Sequence, residues 1–325
     1  MSSATERWGA MGDAIDAAAA TMEARAHGSV KRDAPIGPLT SYRIGGPAGV
    51  YLEAAGDEDL AALAAAVRET SVPVLIVGRG SNMLVSDHGF PGIVVRLGGG
   101  FRWARVEDAA IVAGAAMPLP ALASLAMDHG LTGFEFGAAI PGSLGGGVRM
   151  NAGAHGREIR DVLVSADLYL MSEMRVSTLP VAEAGFAYRT SRLPSDAIVI
   201  TARLGLTPGS RDEIEREMRE VREWRRANQP LSLPNGGSVF KNPPGDSAGR
   251  LVEQVCGKGA RVGAARISEV HANFIVTEPA ATANEVYTLI RWIQGRVREQ
   301  AGVELEPELK MIGDFEEVPD ERDAG

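Results

Sequence analysis

"GAAIPGSLGGGVRMNAGAHG" (137–156) places seven glycines among apolar residues and a single asparagine, Asn151. With so few side chains, main chain can come within contact distance of a flat ring or a row of phosphates. The same composition also suits a tightly packed loop. A second stretch, "VGRGSNMLVSDHGFPG" (77–92), sets Gly78 and Gly80 directly after the apolar run "VPVLIVG" (72–78). Glycines there let N–H groups turn toward a diphosphate, or simply make a turn. The dinucleotide fingerprint is absent, because its third glycine would fall where Met83 stands and no helix pattern begins there. No G-x-x-x-x-G-K-[ST] occurs either. Any nucleotide held here is held by another fold.

Outward from these loops the chain reads as α+β. Residues 57–70 carry a helical face with Leu60, Leu63 and Val67, which Asp57 can cap. "GIVVRL" (92–97), "AAIVAGA" (109–115), "VLVSADLYL" (162–170) and "AIVITARLGL" (197–206) read as strands. "PLPALASLAMDHG" (118–130) reads as a helix with proline near its start and Gly130 at its stop. Pro208-Gly209 marks a break, and Ser210 with Glu213 predicts a capping box opening the next helix. A second box, Thr282 with Glu285, opens a helix whose apolar face is Val286, Leu289, Ile290, Ile293 and Val297. "VELEPELKMIG" (303–313) alternates like a half-buried strand. The expected division is an N-terminal extension (1–35), flexible and in part helical, a larger unit (36–208), a smaller α+β unit (209–315) and a disordered acidic tail (316–325).

The 325 residues suffice for two domains and a sizeable core. A net charge of −9 argues against a nucleic-acid binder, although a local basic pocket can still hold an anion. No run of 18 apolar residues spans a membrane, and the single cysteine, Cys256, excludes an internal disulfide.

A third stretch, "NGGSVFKNPPG" (235–245), holds a hydroxyl, an aromatic ring, an ammonium and an amide between glycines and prolines. A turn needs no such cargo, although a surface turn anchored by Phe240 would account for part of it.

Seven motifs in fixed order resemble one family: "PLTSYRIGGPA" (38–48), "GRGSN" (78–82), "IPGSLGGGVRMNAGA" (140–154), "YRTS" (188–191), "GSVFKNP" (237–243), "HANFIV" (271–276) and "LEPELKMIG" (305–313). They look like the UDP-N-acetylenolpyruvoylglucosamine reductases, and the resemblance covers about 36–315. It implies an FAD-binding domain of the vanillyl-alcohol-oxidase (PCMH) type, built of two subdomains, plus a smaller substrate-binding domain. It also implies non-covalent FAD, NADPH as reductant, UDP-N-acetylglucosamine enolpyruvate as substrate, and a cytoplasmic monomer.

By the same resemblance, Arg189 of "YRTS" holds the substrate carboxylate, Glu308 lies beside it, and Ser238 supplies a proton to the α carbon. Taken alone, Arg189 reads as a surface ion-pair residue and Glu308 as one of a solvated face with Glu304, Glu306 and Lys310. The cofactor contacts implied are Arg43, Gly78, Arg79, Gly80, Ser81, Asn82, Pro141, Gly142, Ser143, Gly145, Gly146, Asn151, Ala152 and Gly153. The substrate contacts implied are Lys241 and Asn242, with Arg226 and Gln254 as weaker candidates. His271 and Asn273 read as structural. Arg149 stands where many relatives carry tyrosine, and Asn235-Gly236 replaces a serine-containing lead-in. The short span from Arg189 to Ser238 implies the subclass without an added lid. Two rivals stay open: an oxidase or dehydrogenase on the same flavin fold, and a sugar-nucleotide binding protein without catalysis.

Overall fold

The computed structural model describes residues 4–316, so the acidic tail expected from 316 lies almost wholly outside the described residues. A first sheet runs in the order Ser29–Pro35, Pro47–Ala54, Phe90–Leu97, Val74–Ile76. Its last three strands are parallel. Parallel strands are covered on both faces, so they read as unbroken apolar runs rather than alternating ones; Ile93, Val94 and Val95 are fully buried.

One face of this sheet is covered by helices Ala4–Arg25 and Asp57–Thr70. The expected flexible extension is therefore a packed helix and strand. Ile15, Ala18, Ala19 and Met22 are buried at i, i+3, i+4, i+7 spacing, and small alanines let the helix lie close to its neighbours. Asp59 helps to hold the entry to the first strand. Its buried carboxylate accepts from the N–H groups of His27 (2.6 Å) and Gly28 (3.1 Å) and from that of Ala55. Gly56 is the N-cap of the second helix, the place expected for Asp57.

A second sheet is antiparallel, ordered Arg175–Pro180, Leu163–Leu170, Ala197–Gly205, Ala110–Gly114, Ala104–Glu107. On its central strand Ala197 and Val199 face one core, while Ile198 and Ile200 face the core shared with the first sheet. An irregularity opposite Asp167 and Leu168 then shifts the alternation, returning Ala202 and Leu204 to the first of these cores. The two sheets thus share apolar residues along a seam.

Helix Arg211–Asn228 buries Ile214 and Met218 in the second sheet's core. The chain therefore passes to its last unit after this helix, not at 208–210 as expected; Pro208 ends a short strand, Thr207–Pro208, that pairs with Leu131–Thr132 inside the same unit. Ser210 is the N-cap of this helix, but its side chain makes no capping bond. The last unit packs helices Ala248–Cys256 and Ala283–Ala301 on a small antiparallel sheet, Arg261–Val262, Ala265–Ile267 and Ile275–Thr277. The Thr282–Glu285 capping box forms in both directions. Asp87, from the first unit, adds a cap by accepting from Ala283 N and Asn284 N, both at 2.8 Å.

Only Lys310–Ile312 of the expected last strand is regular, and it pairs in parallel with Met83–Val85 just after the "GRGSN" loop. The preceding residues follow the segment from Ser238 to Lys241 through an isolated bridge, Phe240 to Pro307.

Candidate active site

At the seam between the two sheets lies a cleft of about 410 Å³. Ile76, Val77 and Leu97 wall it from the first unit, and Ala115, Ala116, Ile198 and Val199 from the second. Its polar lining is Arg79, Arg96, Arg102 and Arg149 against one acid, Glu53. On a chain of net charge −9, four guanidinium groups around one apolar slot suit an anion carrying a flat ring. A wider groove of about 720 Å³ along helix Arg211–Asn228 carries Glu213, Glu217 and Glu220, and suits an anion poorly.

The glycines divide by what backs them. A Cβ on Gly80 would come within 2.1 Å of the Leu39 carbonyl oxygen, and one on Gly145 within 2.9 Å of the Ala115 Cβ. One on Gly78 would sit 2.4 Å from the Ser143 hydroxyl. These positions are glycine because protein lies behind them. A Cβ on Gly142 or Gly146 would meet nothing nearer than 3.7 Å. No protein atom requires these two to be glycine, and Gly146 faces the cleft. The main-chain N–H groups of Gly78, Arg79, Gly80 and Ser81 find no acceptor among the described residues. Arg79 Nε donates to Pro141 O at 3.0 Å and joins the two glycine loops. Free amides, bare glycines and an excess of arginine fit an FAD whose ring and diphosphate lie along this seam.

The second part of the site is built where the last unit returns. Arg189 Nε donates to Glu308 Oε1 at 2.8 Å, and Arg189 Nη2 donates to Gly153 O at 3.0 Å. The guanidinium carbon stands 4.9 Å from the Tyr188 ring centroid. Two of the five N–H groups are thus committed and three remain. The side chains of Arg189 and Glu308 are only 21 % and 16 % exposed, so Glu308 is not a member of a solvated face. Burial raises the Glu308 carboxyl above its ordinary value; the charge and hydrogen bond of Arg189 and the charge of Lys241 oppose this without cancelling it.

Ser238 is placed by its neighbours in the chain. Gly237 has φ +79°, and its N–H donates to Asn235 Oδ1 at 3.0 Å. Val239 O accepts from Glu308 N at 2.8 Å, which sets Ser238 next to the Glu308 segment. Fully buried Phe240 anchors the segment, and Asn273 braces it by exchanging two hydrogen bonds with the Phe240 main chain, at 2.9 and 2.8 Å. The half-buried Ser238 hydroxyl has no partner among the described residues.

Several expected contacts stand elsewhere. Asn151 is completely buried and its carboxamide is spent on Glu158, Ala187 O and Arg160 N, so it braces the loop instead of reaching a cofactor. Gly153 serves Arg189 through its carbonyl, and neither it nor Ala152 lines the cleft. Arg43 is exposed at φ +62°, away from the cleft lining. Ser81 lies on the loop without lining the cleft, and Asn82 turns its side chain to Glu308 O at 3.2 Å. Lys241 pairs with Glu306, and Asn242 accepts from Ala248 N at 3.0 Å. Arg226 is exposed and Gln254 accepts from Arg250 on the surface, so neither is drawn into the Arg189 cluster. The sequence reading missed Arg96 and Arg102, although "RLGGGFR" (96–102) repeats the pattern of glycines directly after a strand.

The seam, its glycine loops and its cationic lining fit a flavoprotein with an α+β FAD-binding domain. Residues 48–178 match the family described as "FAD binding domain". Residues 229–312 match "UDP-N-acetylenolpyruvoylglucosamine reductase, C-terminal domain". This second match begins where the structure passes to its last unit. The chain is 46 % identical over 296 residues to a UDP-N-acetylenolpyruvoylglucosamine reductase of Anaeromyxobacter sp., covering 91 % of this chain and 92 % of that one. It is 46 % identical over 287 residues to UDP-N-acetylenolpyruvoylglucosamine reductase 2 of Symbiobacterium thermophilum, covering 88 % and 93 %. The crystal structure of the reductase from Thermus caldophilus superposes with a TM-score of 0.76 at 38 % identity, covering 88 % of this chain and 99 % of that one. The chain belongs to the UDP-N-acetylenolpyruvoylglucosamine reductase family.

Proposed function

We infer that this enzyme uses NADPH to reduce UDP-N-acetylglucosamine enolpyruvate to UDP-N-acetylmuramate, a step of peptidoglycan synthesis. The observation that carries the mechanism is the meeting of Arg189, Glu308 and the Ser238 segment beside the glycine loops. FAD, when bound along the seam, supplies the passage of reducing equivalents from NADPH to the enolpyruvyl double bond.

The residues of the chain do the rest. Arg189 keeps three N–H groups for the substrate carboxylate while Glu308 and Gly153 hold its other side. As the α carbon gains negative charge, that charge spreads onto the carboxylate, where a fixed guanidinium in a half-buried site stabilises it. Ser238 has no partner among the described residues to compete for its hydroxyl and gives its proton to the α carbon. Being half exposed, it recovers a proton from water. Glu308, held toward its neutral form by burial, donates a hydrogen bond to the carboxylate when protonated. Lys241 and Asn242 lie on the same segment and serve the diphosphate, Lys241 by exchanging Glu306 for it. We assign cofactor contact to Gly78, Arg79, Gly142, Ser143, Gly145 and Gly146, joined by Arg96 and Arg102. The first two units, to Asn228, form the cofactor-binding part and the remainder the substrate-binding part. We read the enzyme as a cytoplasmic monomer, which gel filtration and cell fractionation test. No helix among the described residues is long and apolar enough to cross a membrane.

The test is anaerobic spectroscopy of the purified protein. It is expected to be yellow, to bleach with NADPH, and to regain colour when the enolpyruvyl substrate is added, with the flavin released by acid. A colourless protein would favour a binding protein, and reduction by an alcohol or sugar would favour an oxidase.

A further inference from the structure

Arg189 has φ +56°, a left-handed conformation that a residue with a side chain keeps only when its surroundings hold it. The turn around it is closed by Ala187 and Thr190, which exchange two main-chain hydrogen bonds at 3.1 Å, and the loop is fastened to the rest of the fold at the end of helix Leu144–Arg149 and the residues just after it. Arg149 Nη1 donates to Leu193 O at 3.1 Å and Pro194 O at 2.9 Å, and Arg149 Nη2 donates to Ala197 O. The Ser191 hydroxyl donates to Arg149 O at 2.7 Å. Asn151 Nδ2 donates to Ala187 O at 3.1 Å. The loop that carries Arg189 is thus gripped on both sides of that residue.

Arg149 is an unusual group to find there. It is a half-buried cation in the cleft wall, and no carboxylate among the described residues pairs with it; Asp196 acts only through space, its carboxylate being bonded to Ser172. A guanidinium taken from water and matched to carbonyl oxygens alone is costly to keep. What it does visibly is fasten the 193–197 turn. The same short helix carries Gly145 and Gly146 into the cleft, so one rigid piece touches both the cofactor slot and the arginine loop.

We propose that Arg149 is the positioning residue of the carboxylate clamp: its guanidinium and its carbonyl lock the 186–197 loop in place, so that the tight turn carrying Arg189 aims it at the substrate. This rests on the reading of Arg189 as the residue that holds the carboxylate. Sub-ångström placement of such a group decides the rate of the substrate step, not of flavin reduction.

The test uses the FAD-loaded enzyme and three variants. Arg149→Met should slow flavin reoxidation by the enolpyruvyl substrate about 10- to 100-fold. Ser191→Ala, a smaller change, should act in the same direction and serves if Arg149→Met folds poorly. In Ser191→Ala, whose side chain lies outside the cofactor cleft, flavin content and the rate of reduction by NADPH should stay within about twofold of the parent. Hydrogen exchange should quicken at the 187–193 amides in both variants and nowhere else. Arg149→Met added to Arg189→Lys should cost nothing further, because both act through one group. Equal slowing of both half-reactions or loss of flavin in Ser191→Ala, full additivity of Arg149→Met with Arg189→Lys, or unchanged exchange would each overturn the proposal. If Arg189→Lys by itself had no effect, the carboxylate reading would fall instead, and the exchange measurement would still decide whether Arg149 orders the loop.

Discussion

Ser238→Ala separates a structural serine from one that acts on substrate. A serine that caps a turn loses about 1 kcal/mol of stability when truncated. Here the segment is held by other groups: Gly237 N on Asn235 Oδ1, Val239 N on Asn273 O at 2.9 Å, and Glu308 N on Val239 O at 2.8 Å. None uses the Ser238 hydroxyl, and its removal leaves no polar group stranded. The loss of stability should therefore stay under about 0.5 kcal/mol. For the reaction, a positioned proton donor contributes about 100- to 10,000-fold, or about 3–5 kcal/mol at 1.36 kcal/mol per tenfold. The two half-reactions should diverge. Stopped-flow absorbance should show flavin reduction by NADPH almost unchanged, because no carbon is protonated there, and reoxidation by the enolpyruvyl substrate slowed by that factor. Ser238→Cys, with a more acidic but larger donor, should restore part of the rate. If both halves slowed equally, or the second not at all, the proton would come from elsewhere and the absence of a protein partner for Ser238 would carry no meaning for catalysis.

Arg189→Lys keeps the charge but gives up the planar fork, so it should cost about 2–4 kcal/mol, or roughly 30- to 1000-fold, in the same half-reaction; a loss under about threefold removes Arg189 from the clamp. Gly146→Leu should lower bound FAD per protein while the apoprotein melts as before, because no protein atom lies within 3.4 Å of the new Cβ; a variant with full flavin content would empty the assignment of that glycine. Gly145→Ala, by contrast, should destabilise by about 1–3 kcal/mol, since its Cβ would stand 2.9 Å from that of Ala115. Asp59→Asn tests the anchoring of the N-terminal strand. Burial raises the Asp59 carboxyl, but the N–H groups of Ala55, Gly28, His27 and Gly56 outweigh it and hold it below its ordinary value. A depressed carboxyl contributes stability above the unfolded value of about 3.9, lost as pH falls through the folded value. The melting difference between parent and Asp59→Asn should be full at neutral pH and shrink in acid, and a difference independent of pH would count against the charge.

Much of the fold was legible before any coordinates. The parallel strands announce themselves as unbroken apolar runs, and Thr282 with Glu285 marks a helix start that forms as expected, because these signals are local. The helix Ala4–Arg25 was legible too, in the spacing of Ile15, Ala18, Ala19 and Met22, but an alanine-rich stretch with acids between reads as a loose extension unless that spacing is weighed. Pro208-Gly209 misled for the opposite reason. A proline–glycine pair reads alike inside a unit and between units, and only the burial of Ile214 and Met218 shows to which core the next helix belongs.

By itself the sequence determined the α+β class, the glycine loops and the order of motifs that identifies the family. Each of these depends on residues near one another in the chain. Tertiary structure decided what no local pattern can carry. It brought Arg189 and Glu308, 119 positions apart, to 2.8 Å. It turned Asn151 from a ligand contact into a brace, and it assembled four arginines from a strand, a helix end and two loops around one slot. It also made Glu308, an alternating acid on a strand that reads as solvated, a half-buried group whose proton is held more tightly. The physical reason is that charge, burial and donor geometry depend on distances across the fold, and these exist only once the last strand has returned beside Met83–Val85.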